Sequence, residues 1–143
     1  MVKQRLEGHF RNELLKNNNI WFLKLQVMPM SYTSMPADFL ILSEHNKYLV
    51  ECKECSKKVL VISRLTQIKK MLEFYHKFDN NYAYFLISFW NTNKNNSIYY
   101  HIPVDNMWNT INNIDKKSLN MSDFEAYFSK FQVNLNIISN YFI

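Results

Sequence analysis

Two short apolar runs, residues 39–42 and 48–50, limit what this chain can fold into. A polar stretch of five residues separates them, and their length and composition favour strands over helices. The pattern therefore predicts an antiparallel hairpin. Alternate side chains of a strand share a face, so Glu51 and Lys53 should point one way and Cys52 the other. Asp38 opens the first strand and becomes a neighbour of Glu51, so two carboxylates and an ammonium meet at one sheet edge, an arrangement that suits a hard divalent cation and a phosphate.

The composition predicts one folded domain in a reducing compartment. The chain has 143 residues, of which 48% are hydrophobic and 16% aromatic, enough for one real core. The net charge of +5 fits a nucleic-acid partner, although ordinary surface lysines would give the same value. We expect a cytoplasmic protein with no membrane partner, because no secretory signal or spanning run is visible and there are only two cysteines.

Hydrophobic periodicity predicts the order of elements along the chain. We expect helices over residues 3–16, 64–78, 104–112 and 122–131, the last with a Ser122–Glu125 capping box. We expect strands over residues 20–27, 37–42, 47–53, 82–90 and 98–103, with 82–90 at the centre of the sheet. Residues 28–35 read as a loop, residues 56–63 have no assigned form, and the tail to residue 143 should pack back on the core.

This order, together with the charged residues, resembles the PD-(D/E)xK nuclease superfamily. Asp38 matches the Pro-Ala-Asp of that pattern, and Glu51 and Lys53 match its Glu-x-Lys. Within the superfamily the chain looks most like the RecU-type Holliday junction resolvases of bacteria and phages. Gln67 after the Glu-x-Lys strand, the strand of residues 98–103 and the basic segment 115–119 carry that resemblance.

The resemblance implies a fold and a domain organisation. The fold is an α/β, restriction-endonuclease-like αβββαβ core with a mixed central sheet flanked by helices, plus a helical C-terminal tail. Residues 1–143 would form a single nuclease domain, with the core over about 3–103 and the tail over 104–143.

The resemblance also implies a site. Catalytic roles would fall to five residues: Asp38, Glu51, Lys53, Gln67 and Glu7. The metal, Mg²⁺ or alternatively Mn²⁺, would be held by Asp38, Glu51, Glu7 and the backbone carbonyl of Cys52. Glu13 flanks the same apolar face as Glu7, so which of the two is the acid of the first helix stays open.

The basic residues near the site and the two cysteines can each be interpreted in two ways. Five basic residues around the site are suited to phosphate contacts, although a solvated surface is the alternative: Lys57, Lys58, Arg64, Lys69 and Lys70. Cys52 and Cys55 could form half of a zinc site, but their odd spacing sends the thiols to opposite faces of a continuing strand. A buried core Cys52 is the favoured interpretation.

The implied function is metal-dependent cleavage of four-way DNA junctions during recombination or replication. This family commonly carries an inserted stalk before the catalytic aspartate. Residues 28–36, which lie at that place here, are too short for a stalk, so substrates other than four-way junctions stay open. The alternatives are another nuclease of the same fold and a catalytically silent nucleic-acid-binding module. Paired incision predicts a homodimer with two-fold symmetry. Its candidate interface residues, which could equally be core residues, are Phe89, Trp90, Tyr99 and Trp108.

Overall fold

The computed structural model describes residues 2–25, 36–55, 58–92 and 95–143. The α-helices are α1 (Val2–Leu15), α2 (Ile68–Lys77), α3 (Val104–Asn113) and α4 (Met121–Phe128). The strands are β1 (Trp21–Lys24), β2 (Phe39–Leu42), β3 (Lys47–Cys55), β4 (Val59–Val61), β5 (Asn81–Asn91), β6 (Asn96–Pro103), β7 (Ser118–Asn120) and β8 (Gln132–Val133). The predicted helices and strands are confirmed with shifts at their ends, except that residues 26–27 of the first predicted strand lie outside the described residues. The predicted loop of residues 28–35 lies outside the described residues.

One mixed sheet organises the molecule. Its six strands lie in the order β1-β2-β3-β5-β6-β8, with β3 and β5 at the centre. The β3 and β5 strands are parallel, and the other neighbouring pairs are antiparallel. A parallel pair requires a crossover connection, and α2 supplies it between these two strands. As a result α2 runs antiparallel to β3, and its C-terminal end lies over the beginning of that strand.

A separate hydrophobic core covers each face of the sheet. One core joins the sheet to α2, α3 and α4 through residues such as Met71, Met107 and Phe124. The other joins it to α1 and the C-terminal tail through Phe10 and Phe142. We call these the α2 face and the α1 face. Burial of the tail confirms that it packs back on the core.

The stretch between β3 and α2 contains more structure than the sequence indicated. Residues 59–61 form β4, which pairs with β7 in a second, two-stranded sheet. A 3-10 turn follows at Ile62–Arg64, and α2 begins only at Ile68, four residues later than predicted. The late start arises because the backbone carbonyl of Ile62 accepts a hydrogen bond from the Leu65 N–H, which closes the tighter turn first.

The predicted Ser122–Glu125 capping box of α4 is wrong by two residues. Asn120 is the N-cap, and its side chain accepts a hydrogen bond of 2.9 Å from the Asp123 N–H. The Asp123 carboxylate in turn accepts from the Asn120 N–H at 2.9 Å. Asparagine and aspartate satisfy the same orphan donors as the serine–glutamate pair, so the helix starts one residue before Ser122.

One of the four candidate interface residues is a core residue. Phe89 is fully buried and packs edge-on against Phe124, with ring centroids 4.7 Å apart. Trp90, the next residue on β5, points the other way and is 38% exposed. Among the described residues, no helix is long and apolar enough to cross a membrane.

Candidate nuclease site

The hairpin of β2 and β3 brings Asp38 beside Glu51. The strands pair antiparallel with Phe39 opposite Val50. The Asp38 N–H donates to the Val50 carbonyl at 3.2 Å, which continues the pairing by one step. The Asp38 carboxylate oxygen Oδ2 accepts a 2.9 Å hydrogen bond from the Cys52 N–H. This bond fixes the carboxylate over the strand that carries Glu51.

Glu51 and Lys53 form an ion pair on the α2 face. Their side chains project on the same side of β3, and the Lys53 Nζ lies 3.2 Å from the Glu51 Oε2. The Glu51 side chain is only 2% exposed and that of Lys53 is 19% exposed. Cys52, between them, is buried in the core of the α1 face, as the alternation predicts. The Lys53 ammonium group therefore pairs with a Glu51 carboxylate that is almost fully shielded from solvent.

The electrostatics of Glu51 are those of a carboxyl group held near a second acid. Burial raises the pKa of the Glu51 carboxyl to about 7, and the charge of Asp38 and a hydrogen bond to it add to the rise. Lys53 opposes the rise but does not cancel it. Two close carboxylates in a poorly solvated place resist being charged together. A cation placed between them would remove that resistance.

Glu7, the acid expected from the first helix, pairs with a lysine of β1. It is buried on α1 and forms an ion pair with Lys24 of β1, with the Lys24 Nζ 2.8 Å from the Glu7 Oε2. Across residues 2–25, 36–55, 58–92 and 95–143, no three His, Cys, Asp or Glu side chains group closely enough to hold a metal. Glu13, the alternative acid of the first helix, pairs with Lys16 at 2.7 Å.

Gln67 is the N-cap residue of α2, the helix that follows the Glu-x-Lys strand. Its backbone carbonyl accepts from the Met71 N–H at 3.0 Å, which starts the helix. Its side-chain Oε1 accepts a 2.6 Å hydrogen bond from the Thr66 hydroxyl. The Gln67 side chain is partly exposed and its amide nitrogen remains a potential donor to a ligand.

The basic residues divide into three groups. Arg64, Lys69 and Lys70 are exposed around the start of α2. Lys58 is exposed beyond the end of β3, has a positive φ of 60° and donates to the Thr92 hydroxyl at 3.2 Å. Lys57 lies outside the described residues.

The two cysteine side chains lie on opposite faces of the sheet, so they cannot bind one zinc ion together. Cys52 lies in the core of the α1 face and Cys55 in that of the α2 face, and neither forms a disulfide among the described residues. Burial raises the pKa of the Cys55 thiol to about 12, so the thiolate needed for zinc is disfavoured. Their separation to opposite faces agrees with the odd spacing in the sequence.

A third acid of β3, Glu54, was not singled out by sequence reasoning. Burial is the main cause that raises its pKa, and the carboxylate accepts a hydrogen bond from the Leu6 N–H of α1. Its Oε2 is buried with no hydrogen-bond partner among the described residues. Strand alternation was the signal that could have identified it. Glu54 follows Cys52 by two residues, so its side chain lies on the α1 face, away from Glu51.

The fold and these side chains define a class. A mixed sheet flanked by helices, with a hairpin that presents an acid pair and a lysine, is the restriction-endonuclease-like fold. Among solved structures, the chain is similar to that of Hjc, a Holliday junction resolvase from the archaeal hyperthermophile Archaeoglobus fulgidus. The TM-score is 0.61 at 15% sequence identity, and the match covers 95% of this chain and 98% of that one. Neither a protein-family model nor a curated protein sequence matches the chain.

Proposed function

We propose that this chain is a divalent-metal-dependent DNA endonuclease that cleaves four-way junctions. The observation that carries the proposal is the buried Glu51 carboxyl, with Asp38 beside it and the Lys53 ammonium 3.2 Å away. A buried acid pair with one lysine costs stability without a cation, and such perturbed groups mark functional sites. The similarity in fold to a protein described as a Holliday junction resolvase supports the junction as substrate.

The oxygen donors at this site fit Mg²⁺, and Mn²⁺ as a substitute. Asp38 and Glu51 would hold the ion, with the Cys52 carbonyl and Glu7, directly or through water, as further donors. Carboxylate and carbonyl oxygens are the ligands that these ions prefer. A bound ion of this kind supplies Lewis-acid polarisation of a phosphate and a more acidic water.

The residues around the acid pair would position the reacting groups. Lys53, held toward Glu51, would orient the attacking water or neutralise the charge that develops on the phosphate. Gln67 would position water or backbone from the start of α2. Lys57, Lys58, Arg64, Lys69 and Lys70 would contact phosphates along the DNA.

The proposal extends to the biological setting. The RecU-type arrangement of Asp38, Glu51, Lys53 and Gln67 supports a role in recombination or repair, inside the cell and with DNA. A homodimer would present two active sites to the two strands of a junction.

A panel of labelled DNA substrates tests the proposal. We expect Mg²⁺-dependent cleavage of a four-way junction that exceeds cleavage of flap, nicked and linear duplex DNA, and its loss in Glu51→Gln. Preference for another structure would indicate a different nuclease of the same fold. Junction binding without cleavage in either Mg²⁺ or Mn²⁺ would indicate a silent binding module and contradict the proposal.

A further inference from the structure

A pocket of about 460 Å³ opens on the α2 face, near the beginning of β3. Its walls include Pro36, Lys47 of β3, and Lys70, Phe74 and Lys77 of α2, with Phe78 just beyond the helix. Its size lies within the roughly 300–1,000 Å³ of typical small-ligand sites. The pocket is therefore large enough for one nucleotide-sized group.

The pocket lies on the same side of β3 as the acid pair. Lys47 and Glu51 are separated by an even number of residues along this strand, so their side chains share a face. Four residues of a strand span about 13 Å, close to four stacked steps of a DNA strand at about 3.4 Å each. Pro36 precedes Asp38 by two residues and connects the pocket to the site. DNA held at Asp38 and Glu51 would reach the pocket within a few nucleotides.

The side chains of the pocket combine positive charge with open aromatic surface. Lys47, Lys70 and Lys77 outnumber the one acid of the lining, Glu73. The Phe78 ring is 58% exposed, and the Lys47 Nζ lies 5.4 Å from its centroid. Lysines with an exposed ring are the combination that holds single-stranded nucleic acid, because the ammonium groups contact phosphate while the ring stacks on a base.

Asn81 of β5 also lines the pocket. Its side-chain nitrogen donates to the Phe74 carbonyl at 2.9 Å, which fixes the orientation of the amide. Its Oδ1 is buried and has no hydrogen-bond partner among the described residues. The hydrogen bond to the Phe74 carbonyl holds the Asn81 part of the wall in place.

On the basis of the proposed nuclease function, we propose that this pocket binds one unpaired nucleotide of the DNA strand that is cut. The base stacks on Phe78, and the adjoining phosphate lies against Lys47 and Lys77. A paired base is enclosed by its neighbours in the duplex, so only a base already outside the stack can take this place. The pocket thus favours branched or flapped DNA, in which unpaired nucleotides are easiest to supply.

The test uses a duplex with a short single-stranded overhang that carries 2-aminopurine at one position at a time. Binding is measured in a metal-free buffer, so that no cleavage occurs, and stacking is reported by quenching of the 2-aminopurine fluorescence. We expect quenching at one overhang position with the wild-type protein. Phe78→Ala and Phe78→Leu should abolish that quenching and weaken overhang binding ~10-fold, since one base–aromatic stack has this order of energy.

Matched variants outside the pocket provide the controls. Tyr127 is another exposed ring, 44% exposed on α4, so Tyr127→Ala should keep the quenching. Lys130 lies 5.1 Å from the Phe131 ring centroid, as Lys47 lies over Phe78. Lys47→Gln should lower the slope of log affinity against log salt by about 1, and Lys130→Gln should leave it unchanged.

The outcomes separate this inference from the proposed function. Wild-type quenching that persists in both Phe78 variants, or no quenching at any position, overturns the nucleotide pocket whatever the cleavage assay shows. Quenching that is lost in both Phe78 variants, in a protein that cuts no DNA, supports the pocket and contradicts only the nuclease. Equal affinity for the overhang and for blunt duplex also overturns the pocket.

Discussion

At the scale of single residues, the proposed chemistry depends most on one carboxyl group and one ammonium group. Glu51 is almost inaccessible to solvent, yet it lies beside Asp38 and Lys53. Replacing a buried ion pair by apolar residues is often neutral or stabilising. The Glu51–Lys53 pair is therefore weak evidence for stability, and the proposed metal site gives it a role.

Lys53 gives the sharpest test of catalysis. We expect Lys53→Ala to lower cleavage of a four-way junction by ~10²–10³, because one contact to the transition state is lost. Divalent-ion binding should persist, because an ammonium is not a metal ligand. The measurement is single-turnover cleavage beside thermal melting. Lys130→Ala, on the surface after α4, is the control, and wild-type cleavage by Lys53→Ala would refute the assigned role.

The raised pKa of Glu51 predicts a pH-dependent stability in metal-free buffer. The folded group titrates at about 7 and the unfolded one near 4.5, so the folded state binds more protons between these values. Stability should therefore fall as pH rises from about 4.5 to 7, by up to about 3 kcal/mol. Denaturant unfolding of Glu51→Gln should lack this fall and show greater stability than wild type at pH 8. Parallel pH profiles of the two proteins would contradict the assignment.

At the scale of elements, helix ends govern local stability and, in the proposed function, the approach to DNA. Asn120 and Asp123 satisfy each other's backbone N–H groups at the start of α4. The helix then directs Phe124 and Phe128 into the core of the α2 face. The start of α2, in contrast, presents exposed basic side chains beside Gln67.

Asn120→Ala should lower the free energy of unfolding by about 1 kcal/mol, because the α4 cap is lost. Ser122→Ala is the matched control: it removes a hydroxyl from the first turn that takes no part in the cap, so it should have little effect. Urea unfolding measures both. A larger effect from Ser122→Ala than from Asn120→Ala would restore the capping box that the sequence first indicated.

Salt dependence tests the basic start of α2. If Lys69 contacts a phosphate, Lys69→Ala should weaken binding to junction and linear duplex alike and reduce the salt slope by about 1. Fluorescence anisotropy over a range of salt concentrations gives the slope. A variant that loses affinity for the junction alone would show that Lys69 reads structure and not backbone charge.

At the scale of the whole molecule, two cores share one sheet. The α1 face and the α2 face lie on opposite sides of β3, and the acid pair opens toward the α2 face. The pocket of Lys47 and Phe78 lies on that same face. The candidate nuclease site and the proposed nucleotide pocket therefore lie on the same side of the sheet.

A dimer remains a prediction at this scale. Trp90 is 38% exposed on β5, whereas Phe89 is core. We expect light scattering to show a homodimer at micromolar concentration and paired incision of a junction, with Trp90→Lys shifting the mass toward the monomer. A wild-type monomer that makes unpaired cuts would contradict this prediction.

The sequence alone determined what depends on local pattern. The hairpin, the shared face of Glu51 and Lys53 and the opposite faces of Cys52 and Cys55 all follow from the alternation of a strand. The central place of β5 follows from its nearly continuous apolar run. These features need no knowledge of which elements meet.

Tertiary structure decided what depends on distant residues coming together. The pKa of Glu51 is set by burial beneath elements far along the chain, and no spacing of residues encodes that burial. The Glu7–Lys24 ion pair, the β4–β7 sheet and the meeting of Lys47 with Phe78 likewise join residues far apart in sequence. The tertiary structure also decided where α4 starts. Asn120 and Ser122 are both acceptable N-cap residues by type. The path of the chain out of β7 places the Asn120 side chain against the Asp123 N–H.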